Sequence, residues 1–143
     1  MTKIKRVTIK EVEFLSHELA RKQLVYDEPI PAFNTRYPNV LESCLLVPFQ
    51  TFSKKLLYAG LISKAAILFY LMIKNHPFQN GNKRVAMTTL LIFLHKNGRW
   101  LRVEIDALYE FTMRIAASPA ENKDEYLQII NKFIKRGLLN FKL

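Results

Sequence analysis

Residues 75–84, NHPFQNGNKR, place a histidine, four amide side chains, a glycine and two adjacent cations within ten positions. An imidazole with an ordinary pKa near 6.5 is matched to accepting a proton at neutral pH, which makes His76 a candidate general base. Asn82, Lys83 and Arg84 fall at the start of a predicted helix. Its free N–H groups and positive macrodipole end favour anions there, by about 0.3–1 kcal/mol per charge. Two cations in that turn oppose the dipole unless an anion joins them, and Gly81 allows the backbone to approach a ligand closely. Gly81, Asn82, Lys83 and Arg84 therefore read as a phosphate site. A base beside a phosphate cradle suggests transfer of a phosphate-bearing group to a hydroxyl, the cations stabilising charge on the phosphoryl oxygens. The blander reading has His76 structural, Asn82 a simple cap and both long cations in water. Asn80-Gly81 alone would be a hairpin turn, but no alternating strands flank it. The stretch contains no carboxylate.

Two helices must position these groups. Pro77 ends the first and biases His76 toward an extended backbone, while Phe78 can anchor the turn in the core. The first is the apolar run before the motif, capped by Ser63 and reaching Asn75. The second carries Val85, Ala86, Thr89, Leu90, Phe93 and Leu94 at helical spacing and stops at Asn97-Gly98. Together they form a central hairpin. Upstream, Thr8 and Glu11 have capping-box spacing, and Val12, Leu15, Leu19 and Leu24 give a first helix an apolar face ending before Pro29. A further helix covers about 39–47, and residues 48–60 read as a loop or short hairpin. Residues 99–104 suggest a short extended piece, followed by helices over 106–117 and 123–135. No repeat or linker divides the chain, so the expectation is one all-α domain over 1–143.

Composition narrows the partners. Of 143 residues 50% are hydrophobic and 24% charged, with few Gly and Pro, which is ordinary for a helical globular domain. The net charge of +10 attracts anions: nucleic acid, phosphorylated ligands or acidic protein. The 22 Lys and Arg are scattered, and Arg99, Trp100 and Arg102 form the single cation–aromatic cluster, so nucleic acid is not the expected partner. Cys44 is the only cysteine, which excludes an intrachain disulfide. No apolar stretch follows the basic amino-terminal residues, so a cytoplasmic protein is expected. The apolar run 56–73 is broken by Lys64, Gly60 and Ser63, and no membrane span is expected.

The nine residues His76-Pro77-Phe78-Gln79-Asn80-Gly81-Asn82-Lys83-Arg84 resemble the Fic/Doc motif, H-P-F-x-[D/E]-G-N-[G/K]-R, with the lysine of the Doc ("death on curing") branch. The similarity extends through AILFYLMIKNHPF and LLIFLHKNG, and LESCLLVPFQTF looks like the family's earlier helix and flap. The resemblance implies a small helical Fic fold with His76 as base and Asn82 and Arg84 on phosphates. Lys83 stands where AMP-transferring relatives have glycine, which implies transfer of the γ-phosphate of ATP with Mg²⁺. It further implies a threonine of elongation factor Tu as target, arrested translation as outcome and a Phd-like antitoxin as partner. Asn80 departs from the pattern, because an amide keeps a ligand oxygen for Mg²⁺ but loses the charge. Three outcomes follow: a kinase with weakened or differently supplied metal binding, altered nucleotide use such as AMP transfer, or a binding protein. The family's inhibitory pattern, [S/T]-x-x-x-E-[G/N], matches at Glu121-Asn122 but has Ala117 at the hydroxyl position, which leaves inhibition in trans. His17 and His95 read as surface or core-edge residues, Lys54 and Lys55 as flap cations, and Cys44 as a small buried hydrophobe.

Overall fold

Residues 64–73 are all buried, so the most apolar helix of the chain keeps no face for water. The structure, a computed structural model, describes residues 3–141; the outermost two positions at each end of the expected 1–143 domain lie outside the described residues. Helix α4, Leu61–Lys74, packs against α5, Asn82–Lys96, and the pair forms the expected central hairpin. Val85, Ala86, Leu90, Phe93 and Leu94 of α5 are each 0% exposed. Helix α4 starts earlier than Ser63: Gly60 is its N-cap and Ser63 lies inside the first turn. Lys64 is buried in that helix, and its ammonium donates to the Tyr58 carbonyl and faces the Phe49 ring. Burial lowers its pKa, and the carbonyl supplies the partner that a buried cation requires.

The amino-terminal helix keeps its start and changes its face. Thr8 Oγ1 accepts from Glu11 N–H and Glu11 Oε1 accepts from Thr8 N–H, which is the expected capping box opening α1, Ile9–Glu11. A wider π turn, Val12–Ser16, then leads into α2, His17–Gln23. A π turn advances more residues per turn than an α-helix, so the buried positions become Val12, Ser16, His17, Ala20 and Leu24. Leu15 and Leu19, expected in the core from a 3.6-residue period, are 44% and 42% exposed.

Helix α3, Pro38–Leu46, runs into a 3₁₀ turn at Val47–Phe49. A two-stranded hairpin follows, β1 Thr51–Phe52 and β2 Lys55–Leu56, with Thr51 opposite Leu56. It supplies the short flap. Helices α6, Ile105–Ala116, and α7, Lys123–Gly137, cover the hairpin core, and Phe111 stacks between Phe69 and Phe133. The extended piece is β3, Arg99–Leu101, and its partner β4, Leu138–Asn140, pairs antiparallel with it. The fold is all-α with only short strands. Among the described residues no helix is long and apolar enough to cross a membrane.

Candidate active site

Asn75 caps α4, and His76 takes a left-handed φ of +51°. This corrects the extended backbone expected before Pro77. The position after a helix C-cap commonly adopts the left-handed region, and histidine is among the residues enriched there. The imidazole still leaves the helix, and His76 is exposed. Pro77 and Phe78 are buried behind it, with Phe78 packed on Phe33 and His17. The Pro77 carbonyl accepts from Tyr37 N–H, which ties the loop to the start of α3.

Asn82 fastens the loop from the other side. Its Oδ1 accepts from Phe78 N–H and its Nδ2 donates to the Phe78 carbonyl, both at 2.8 Å. The same Nδ2 lies 3.4 Å from His76 Nδ1. The amide is thus occupied in shaping the loop, and what Asn82 can offer an anion is its backbone N–H, the first of the orphan donors of α5. The N-cap is Gly81, which brings no side chain to satisfy those donors. Gly81 has φ +80°, and a Cβ there would lie 2.6 Å from Ile30 Cγ1, so both backbone and packing require glycine.

A cavity of about 160 Å³ brings together His76, Asn80, Gly81, Asn82, Lys83 and Arg84. Arg84 is only 4% exposed, and its guanidinium donates to the carbonyls of Glu28 at 2.6 Å and Leu24 at 3.4 Å. No carboxylate pairs with it among the described residues, and its remaining N–H donors stay available. Asn80 Oδ1 accepts from Gly81 N–H at 2.8 Å, which leaves its second lone pair open. For Mg²⁺, which takes oxygen ligands and is satisfied by one or two carboxylates plus substrate phosphates, the oxygen donors on the cavity suffice in type. Among the described residues no group of three or more His, Cys, Asp or Glu could hold an ion by itself.

Asp27, Tyr109 and Ala116 also line the cavity, and reading the sequence did not find them. They come from the connector after α2 and from α6, and only the tertiary fold brings them to the motif. Lys74, at the end of α4, donates to the carbonyls of Ala116 and Ser118 and so fixes the end of α6 at the cavity. Glu121 does not line it.

An exposed histidine at a small cavity and a helix start carrying Lys83 and Arg84 are set together on an all-α hairpin. Residues 6–94 match the Fic/DOC family. The match spans more than half of the chain, and the chain belongs to the Fic/DOC family, whose domains are typically transferases. No curated protein and no solved structure matches it.

Proposed function

We propose that this protein is a Doc-like phosphotransferase that moves the γ-phosphate of ATP to a hydroxyl of a target protein. The observation that carries the reading is the single cavity joining exposed His76 to the start of α5, with Lys83 and Arg84 on its wall. The neutral His76 ring accepts the proton of the target hydroxyl. The hydroxyl oxygen then bonds to the γ-phosphorus as the bond to the β–γ bridging oxygen breaks, and ADP leaves with that electron pair. Lys83, Arg84 and the N–H groups of α5 balance the charge on the phosphoryl oxygens. Mg²⁺, when bound, neutralises phosphate charge, and the free lone pair of Asn80 would contribute to holding it. By resemblance the target is a threonine of elongation factor Tu, the outcome is arrested translation in the cytoplasm, and a Phd-like antitoxin is the inhibiting partner.

The test is a pair of transfer assays with ATP labelled at the γ- or the α-phosphate. Label from the γ position on the target, lost in His76→Ala, is the expected result. Label from the α position would instead establish AMP transfer. No transfer from either, with nucleotide still bound, would favour the second reading, a nucleotide- or partner-binding protein. That reading is motivated by Asn80, whose oxygen already accepts from Gly81 N–H.

A further inference from the structure

We infer that Asp27 supplies the carboxylate that position 80 lacks, holding a divalent cation against the phosphates of a bound nucleotide. This rests on the phosphotransfer reading above.

Asp27 lines the same cavity as Asn80, Lys83 and Arg84. Its segment is clamped from two sides. Arg84 donates to the carbonyls of Leu24 and Glu28, on either side of it in sequence. Tyr26 stacks on Tyr109 of α6, with ring centroids 4.1 Å apart and planes within 6°, and its hydroxyl donates to Asp106. Between these clamps Asp27 holds a left-handed φ of +63°. Asp27 is exposed at the cavity, and among the described residues no Lys, Arg or His nitrogen lies within 4.0 Å of its carboxylate, which leaves it open to a cation from solvent.

The chemistry follows from the signs of the charges. A carboxylate beside an anion-binding helix start repels a phosphate directly, and the two become compatible when a cation sits between them. Magnesium suits that place, since it retains waters and is commonly held by one or two carboxylates together with substrate phosphates. Asn80 alone offers one neutral lone pair. Asp27 adds the charge. No resident ion is required without nucleotide, since the phosphates themselves complete the ligand set.

The experiment measures binding of a non-hydrolysable ATP analogue by calorimetry, in EDTA and in saturating Mg²⁺, with the Mn²⁺ spin-resonance spectrum as a direct readout of the ion. Asp27→Asn keeps a residue that tolerates the left-handed region, so the fold is expected to persist, and a melting curve checks this. The expected result is that Asp27→Asn binds the analogue in EDTA at least as well as the parent but loses roughly tenfold or more of the metal-dependent gain. Glu121→Gln, away from the cavity, keeps the gain, and adding Asn80→Asp to the Asp27→Asn variant restores it. A gain unchanged in Asp27→Asn overturns the inference, as does a parent that gains nothing from metal. Loss without recovery in the double variant overturns the claim that Asp27 stands in for position 80. A parent that binds no analogue under either condition removes the phosphotransfer reading itself, so the two failures are distinguishable.

Discussion

Gly81 combines a left-handed backbone with a Cβ position that collides with Ile30, so Gly81→Ala meets strain and steric overlap together. The expected loss is about 1–3 kcal/mol in urea unfolding, with weaker nucleotide binding because the start of α5 shifts. The need for glycine here was readable from the motif, but the collision was not, because Ile30 arrives from a connector fifty residues upstream. His17 shows a similar limit. Read as a surface or core-edge residue, it is 1% exposed, wedged between Phe33 and Phe78, and neither ring nitrogen has a hydrogen-bond partner. Burial, helped by nearby Arg21, outweighs the opposing pull of Glu18 and of the Pro31 backbone, which lies near the ring without hydrogen-bond geometry, and pushes its pKa below the ordinary histidine range. A folded-state pKa below the unfolded one means that the unfolded chain binds the extra proton as pH falls. Its contribution is therefore fully present above about pH 6.5 and is lost as pH falls toward the folded value, by at most about 1.4 kcal/mol per unit. Urea midpoints measured from pH 7.5 down to 5 should fall for the parent and fall less steeply for His17→Leu.

Local periodicity was sufficient for α4 and α5, since a run buried on all sides and an apolar stripe need only the neighbours that the sequence supplies. It failed at the amino-terminal helix, where the π turn at Val12–Ser16 moved Leu15 and Leu19 to the surface. It also missed β4, because three residues acquire strand character only by pairing with β3 some forty positions away. The flap was expected as a loop or hairpin, and its turn explains why it can stay short. Ser53 and Lys54 both have positive φ, the geometry of a two-residue hairpin turn. That hairpin exposes Phe52 at 73% and Leu56 at 50%, unusual for a segment with no apolar partner of its own. Under the transfer reading proposed above, the protein target would cover it, with Lys54 and Lys55 beside it. Phe52→Ser is expected to alter folding stability by no more than about 0.5 kcal/mol. It should raise KM for the protein target while leaving KM for ATP unchanged. Equal effects on both constants, or a large loss of stability, would show that the flap serves the fold instead.

At the scale of the whole molecule the charge of +10 was plain in the sequence, but its use was not, because scattered cations have no direction until folded. Folding ties Arg84, beside Lys83 at the start of α5, to the carbonyls of Leu24 and Glu28, so the proposed phosphate site and the packing of the amino-terminal segment share a side chain. An anion bound there stabilises only the folded chain. General attraction to a cationic surface would also raise the melting temperature, but that effect fades as salt shortens the screening length to about 8 Å at physiological ionic strength. A built site is screened less. ATP at about a hundred times its dissociation constant should therefore stabilise the parent by about 2.7 kcal/mol even in physiological salt. Thermal melts with ATP across a salt series, repeated with Lys83→Ala, check this. Lys83 is partly exposed, enters no ion pair among the described residues and lines the cavity, so its loss should leave the melting temperature without nucleotide nearly unchanged and shrink the ATP-induced shift. A shift that disappears with salt in the parent, or persists in full in Lys83→Ala, would mean that ATP is held by diffuse charge and not by the start of α5.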